Sequence, residues 1–316
     1  MSDIKLFRFT SGKVTELPGR SSQIEKSLQT MVEQNLEDLL GVRFLASEHS
    51  TGRVHGGRID TLGIDENGCP VIIEYKRAVN ENVINQGLFY LDWLLDHRKE
   101  FQWMVLEALG GDIAKSVEWS SPRLLCIAGD FTNYDQHAVK QINRNIELLR
   151  YRHYGDDLLL LELVNASTAV ATISSIQPVS ERTQKATSAK VNTSNPYLSN
   201  DAGYRLSQAP ENIKDLYEVL KAFLLSLGGD VQSKQLVNYF AFKRIKNFAC
   251  VEVFPQASKV TVFLKIDPKT VELSDGFTRD VTNIGHFGNG DLEVTMRNLD
   301  DLARAQPLLV KSYERS

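Results

Sequence analysis

Cysteine is scarce: Cys69, Cys126 and Cys250 are the three in 316 residues, and no two form a Cys-x-x-Cys pair. That excludes a disulfide scaffold and argues against a zinc knuckle, so buried, reduced thiols are expected. No apolar run approaches the roughly 20 residues that cross a bilayer. The opening "MSDIKLFRFT" has no apolar stretch behind a basic start, so no secretory signal is expected, and a cytoplasmic location is. Charge of one sign is also lacking, with 36 Lys and Arg against 40 Asp and Glu. A net charge of −4 supplies no global attraction to phosphate, so any nucleic-acid surface must be a local patch. The chain has no internal repeat, no like-charge run, and no phosphate-loop, dinucleotide or nucleophile-elbow motif.

What is present is an ordinary globular composition, 42% hydrophobic and 24% charged, in a chain long enough for two domains of about 150 residues. Composition breaks once. From Asn165 to Gly203 the chain is rich in Ser, Thr, Asn and Ala and sustains no period. Such a stretch buries too little apolar surface to offset its ordering entropy, which predicts a linker with one short docked strand near Ala169 to Ile173. The expected division is therefore a first domain over 1–164, a linker over 165–204 and a second domain over 205–316. The first domain holds 18 basic against 24 acidic residues.

In the first domain "IKLFRF" and "KVTEL" read as a strand pair, and "SSQIEKSLQTMVEQNLEDLL" carries apolar residues at helical spacing. "VRFLASEH" reads as a strand before a hairpin. "NENVINQGLFYLDWLLDHRKEFQWMVLEAL" predicts one long helix with Asn80 as its N-cap. "PRLLCIAG" predicts a strand buried on both faces, "DQHAVKQINRNIELLRYR" a helix, and "DLLLLELV" a closing strand. The order implies a mixed sheet covered by helices on both sides. The second domain reads as helices over "APENIKDLYEVLKAFLLSL" and "SKQLVNYFAF", strands over "FACVEVFPQ", "KVTVFLKI" and "LEVTMR", and a C-terminal helix. That is a smaller α+β domain.

The hairpin "GGRIDTLGIDENGCPVIIEYKR", residues 56–77, places charge where apolar residues would be cheaper. Alternation puts Ile72, Glu74 and Lys76 on one face of the second strand. A three-residue loop of Glu66, Asn67 and a left-handed Gly68 pairs Asp65 with Cys69 and sets Asp60 opposite Glu74. Facing carboxylates destabilise a ladder unless a cation lies between them, either a divalent metal or Lys76. A two-residue Asn67-Gly68 turn would instead pair Asp60 with Tyr75, and a solvated surface pair of Glu74 with Lys76 is the plain alternative.

The set Gly57-Arg58-Ile59-Asp60, a hairpin, Glu74-Tyr75-Lys76, then Gln86 with Tyr90 one turn on, resembles the PD-(D/E)XK nuclease superfamily, its NucS-like and RecB-like branch. The resemblance covers residues 20–100 most strongly. It implies a restriction-endonuclease-like α/β domain hydrolysing nucleic-acid phosphodiester bonds, with DNA the expected polymer. By the resemblance Asp60, Glu74 and the Tyr75 carbonyl hold Mg²⁺ or Mn²⁺. Lys76 orients or deprotonates the attacking water, Gln86 lines the site, and Tyr90 stacks on or bonds nucleic acid. Glu25 is the expected catalytic glutamate of the first helix, although Ser22 to Glu25 is also a capping box. Glu33 is the alternative. Arg58 and Arg77 are expected to clamp phosphate. The second domain resembles an uncharacterised module joined to such nucleases, setting substrate choice or binding a protein partner; a homodimer is compatible with the sequence. In "GHFGNGD" the glycines suggest a close backbone approach, with His286 or Asp291 as candidate ligand groups and a plain loop as the alternative. The competing function is a non-catalytic nucleic-acid or protein-binding module on the same fold.

Overall fold

The computed structural model describes residues 4–21, 25–76, 82–167 and 201–316. Its first unit is a seven-stranded mixed sheet between two layers of helices. The elements run β1 (Leu6–Thr10), β2 (Lys13–Leu17), β3 (Gly19–Arg20), α1 (Glu25–Gln34), α2 (Leu36–Leu40), β4 (Val42–Ser50), α3 (Gly52–His55), β5 (Arg58–Asp65), β6 (Pro70–Lys76), α4 (Asn82–Asp96), α5 (Arg98–Leu109), α6 (Gly111–Lys115), β7 (Arg123–Ala128), α7 (Asn133–Gln141), β8 (Asn145–Tyr154) and β9 (Leu158–Ser167). β1 and β2 form their own hairpin, and the main sheet orders β3-β8-β7-β6-β5-β4, with β9 beside β8. β6, β7 and β8 are parallel; β4, β5 and β6 are antiparallel.

Alternation along the central strands explains the two cores. Ile72, Leu124 and Ile146 meet α4 and α5 through Leu91, Leu94, Phe101 and Val105. Val71, Ile73, Leu125 and Leu149 meet α1 and α2 through Leu28, Val32, Leu36 and Leu40. β7 is buried at all six positions, as a strand covered on both faces must be.

Three helices expected in the first domain differ in the structure. The first breaks at Asn35, whose side-chain amide donates to the Met31 carbonyl at 2.8 Å. The long helix breaks at His97, whose ring nitrogen takes the Trp93 carbonyl at 2.8 Å; Asn80 lies outside the described residues. The segment expected as a third helix divides into α7, capped by Thr132 and Asp135, and strand β8. "NIELL" supplies Ile146 and Leu148 to one core and Leu149 to the other, so two-sided burial overrides its helical period.

The second unit comprises α8 (Ala202–Ser207), α9 (Glu211–Ser226), β10 (Gln232–Gln235), β11 (Phe240–Lys243), β12 (Asn247–Phe254), β13 (Lys259–Leu264), a short 3₁₀ turn, β14 (Thr278–Asp280), β15 (Leu292–Met296) and α10 (Leu299–Glu314). Its six antiparallel strands order β10-β11-β12-β13-β15-β14, with α9 and α10 packed on one face. The helix expected over "SKQLVNYFAF" is instead the β10–β11 hairpin. β9 runs to Ser167 and α8 starts at Ala202, inside the segment expected as linker; the docked strand near Ala169 lies outside the described residues. Among the described residues no helix is long and apolar enough to cross a membrane.

The other face of this second sheet grips the turn of the β5–β6 hairpin. Asn247 donates its amide to Glu66 at 2.9 Å, Tyr239 donates its hydroxyl to Asn67 at 2.8 Å, and Lys265 pairs with Glu66. Beneath them lies a buried ionic cluster: Arg123 bonds Glu147 twice at 2.8 Å and Asp65 at 2.8 Å, and Lys243 reaches Glu147 at 2.8 Å. Burial opposes ionisation of Glu147, yet Arg123 and Lys243 hold its carboxyl well below the usual range, and Arg123 does the same for Asp65. Burial, then the adjacent Arg123, pushes Lys243 down to about 8.

Candidate active site

The β5–β6 hairpin is built as a three-residue loop. Gly68 sits at φ 76°, its amide donates to the Asp65 carbonyl at 3.0 Å, and the Asp65 amide donates to Cys69 at 2.9 Å. The ladder then pairs Ile64 with Pro70 through to Thr61 with Ile73. Asp60 and Glu74 are the residues one step beyond that last pair.

There the two carboxylates enter the ladder. The Asp60 amide donates to Glu74 Oε1 at 3.3 Å, and the Tyr75 amide donates to Asp60 Oδ2 at 3.0 Å. The Tyr75 main chain thus runs beside both side chains, while its ring is buried in the opposite core and its hydroxyl is hydrogen-bonded to the Thr61 hydroxyl at 3.3 Å. Glu74 is 0% exposed, and its Oε2 has no hydrogen-bond partner. Burial, then the Asp60 charge, pushes its carboxyl up to about 9. Burial also raises Asp60, against the Tyr75 amide and Lys76. An ionised carboxylate with a bare buried oxygen is costly, so this one either keeps a proton or faces a cation.

Lys76 is the near cation. Its Nζ lies 3.2 Å from Glu25 Oε1, which places the first residue of α1 at the site. Burial opposes the Lys76 charge, but Glu25, Asp60 and Glu74 outweigh it and leave its affinity for the proton raised. Glu33 is engaged elsewhere: it accepts the Thr61 hydroxyl at 2.6 Å and the Gln29 amide at 3.0 Å. Ser22, the capping partner weighed for Glu25, lies outside the described residues, as does Arg77.

Gln86 and Tyr90 are brought to the start of β5. The Gln86 amide donates to the Tyr90 hydroxyl at 3.2 Å, and that hydroxyl accepts the Arg58 amide at 3.2 Å. Tyr90 is 5% exposed within the core, so its ring offers no stacking face, and its contribution here is the hydroxyl. Gly57 is required by this contact, because a Cβ there would lie 2.6 Å from the hydroxyl. Arg58 is exposed, with its Nε 3.6 Å from Glu48. Together with Arg53, Ser50 and three glycines it lines an open cleft of ≈ 430 Å³.

Sequence reasoning missed Gln29, Lys26, Glu48 and Arg53. Gln29 donates to the Asp60 carbonyl at 2.7 Å, and Lys26 pairs with Glu48 at 2.9 Å. Glu48 stands at φ 52°, between the paired Ser47 and His49 of β4, where a non-glycine residue is strained. Its charge helps raise Asp60. Nothing in the strand period of "VRFLASEH" announces that turn of the backbone.

Asp60 and Glu74 suit a hard divalent cation, which needs few carboxylates when waters and phosphate oxygens complete its shell. The orphaned Glu74 Oε2 is the feature that fits. Among the described residues no group of three His, Cys, Asp or Glu side chains is placed to hold a metal ion.

In the second unit two of the three glycines of "GHFGNGD", Gly288 and Gly290, serve packing, while Gly285 faces open space. A Cβ at Gly288 would lie 2.6 Å from that of Cys250, and the loop delivers Asn289 to Asn247 at 3.2 Å. Asp291 accepts the Val281 amide through its backbone.

Residues 204–316 match a family described as Domain of unknown function (DUF5655). An uncharacterized protein of Haemophilus influenzae is 27% identical over 313 residues, which covers 98% of this chain and 100% of the relative. Two solved structures are similar to part of the chain. A repair endonuclease from Pyrococcus abyssi is 18% identical with a TM-score of 0.28, over 41% of this chain and 48% of that one. A structure described as an EndoMS-dsDNA2 complex is 20% identical with a TM-score of 0.24, over 43% and 47%. The chain matches about half the length of each.

Proposed function

We propose that the first unit is a metal-dependent nuclease domain that hydrolyses nucleic-acid phosphodiester bonds, with DNA its polymer. The observation that carries this reading is the buried, partnerless Glu74 Oε2 beside Asp60, at the edge of which Lys76 holds a proton. Asp60, Glu74 and the Tyr75 carbonyl would hold Mg²⁺ or Mn²⁺. Such an ion, when bound, supplies Lewis acidity at a phosphate oxygen. Lys76, kept charged by Glu25, is suited to orient the attacking water and to stabilise negative charge on the phosphate, rather than to accept a proton at rest. The exposed Arg58 and Arg53, in the glycine-lined cleft, hold the polymer's phosphates. Tyr90 and Gln86 act through the Arg58 main chain.

A second reading is a binding module that keeps the fold. The 18 basic against 24 acidic residues of the first domain favour it, since they attract no polyanion without help. Cleavage of single-stranded, duplex and branched DNA, with and without Mn²⁺, separates the two. Wild type is expected to cut at least one substrate only with the ion, and Glu74→Gln to cut none. No cleavage by wild type on any substrate returns the chain to the binding reading; equal cleavage by both identifies a contaminant.

A further inference from the structure

The DUF5655-matching unit carries a second polar cavity, independent of the carboxylates of β5 and β6. It has a volume of ≈ 260 Å³ and lies on the sheet face away from α9 and α10, where the 281–291 loop arches over β12, β13 and β15. Among the described residues five buried side-chain nitrogens or oxygens lack a hydrogen-bond partner, and two of them, Thr261 Oγ1 and His286 Nε2, belong to residues lining this one cavity. Buried polar atoms are seldom left unpaired, so two converging on one space point to a missing partner there.

The chemistry of that partner follows from what the walls offer. His286 Nδ1 lies 2.8 Å from the Ile284 carbonyl oxygen, which can only accept; this contact assigns the proton to Nδ1 and leaves Nε2 of the neutral ring an acceptor. Glu252 is 6% exposed and stands directly opposite Thr261 in the ladder; it accepts the Phe287 backbone amide and feels the charge of Arg205, but forms no ion pair among the described residues. The cavity's own cations are already occupied. Arg279 bonds Glu293 at 2.5 Å, and the Lys259 ammonium sits 4.9 Å above the Phe254 ring. The groups left with acceptor capacity are therefore the Glu252 carboxylate, which already takes the Phe287 amide, and the partnerless imidazole nitrogen and hydroxyl, beside the exposed ring of Phe287. A metal ion is the poorer occupant, because no three ligating side chains gather there.

We propose that this cavity binds a small organic cation, with an ammonium or guanidinium head donating to Glu252, His286 Nε2 and Thr261 and its carbon chain against Phe287. An ammonium brings three N–H donors and a guanidinium five, which matches three acceptors in one place. The volume falls just under that of drug-sized pockets, which suits a ligand of a few carbons.

The test uses the full chain and four probes of one length: butylamine, butylguanidine, butyrate and butanol, titrated while the Ile284 and Phe287 amide resonances are followed. Saturable shifts are expected with at least one cation, with half-saturation on the order of millimolar for so small a probe, and none with butyrate or butanol. Glu252→Gln is expected to weaken binding at least tenfold and Thr261→Val several-fold. Thr261→Val keeps the strand's shape, so it decides the matter if Glu252→Gln does not fold. Asp60→Asn should leave binding unchanged, which separates this site from the nuclease reading. Equal shifts with butanol or butyrate, no saturable shift with either cation, or full binding by folded Glu252→Gln or Thr261→Val would overturn the proposal.

Discussion

Asp60 and Glu74 are joined through the main chain: the Asp60 amide donates to Glu74 at 3.3 Å while the Asp60 carboxylate accepts the next amide along, that of Tyr75, at 3.0 Å. Each carboxylate therefore replaces a ladder partner and is held in place without any ion. One oxygen of Glu74 is left over.

That spare oxygen predicts a metal-linked stability. Mn²⁺ at a hundredfold excess over its Kd should stabilise wild type by about 2.7 kcal/mol, read as a rise in thermal midpoint. Glu74→Gln should show no such rise. Without the ion the variant should be at least as stable as wild type, because an amide needs no counter-charge in a buried site.

Lys76 and Glu25 should separate metal binding from chemistry. Lys76→Met is expected to lose about 10²–10³ in cleavage rate while still binding Mn²⁺, since it removes charge stabilisation rather than a ligand. Glu25→Gln takes away the anion that raises the Lys76 pKa. The alkaline limb of the cleavage profile should then move to lower pH, and an unmoved limb would dissociate Lys76 from it.

At the start of β5, Tyr90→Phe leaves the Arg58 amide without its acceptor and should cost about 1 kcal/mol. Gly57→Ala drives a methyl into the same hydroxyl and should cost about 1–3 kcal/mol. Thermal unfolding of the two variants and their combination should show non-additive losses, because the residues touch.

The interface between the units should be sensitive to acid. Asp65 and Glu147 both have lowered folded pKa values, so the stability they contribute is complete above the ordinary carboxylate range of about 3.9–4.3 and is lost as pH falls through the folded values. Glu147→Gln should flatten that acid limb in thermal melts. Glu147→Ala should cost about 3–5 kcal/mol by leaving Arg123 and Lys243 facing an emptied site. Lys243→Met should cost less, because Arg123 still holds Glu147.

Much of the first unit is legible in local chemistry. The Asp-Glu-Asn-Gly loop names its own turn, since Gly68 alone there adopts a positive φ without strain, and the turn in turn sets the register that brings Asp60 to Glu74. The six buried positions of β7 follow from an unbroken apolar run. Periodicity misled at Asn145–Tyr154 and over "SKQLVNYFAF", where the partners that decide strand or helix lie far away in the chain. β8 is a strand because two cores claim alternate side chains of "NIELL". Lys243 is buried because Glu147, on that same strand, waits for it across the interface.

Sequence by itself therefore determined the hairpin, its loop and the residue types of the carboxylate–lysine set, because strand alternation and turn chemistry act over a few residues. Only tertiary structure decided that Glu74 Oε2 stays unpaired, that Glu25 rather than Glu33 meets Lys76, and that Tyr90 is buried. Those outcomes depend on desolvation and on which distant groups share a small volume, and neither is carried by any short stretch of chain.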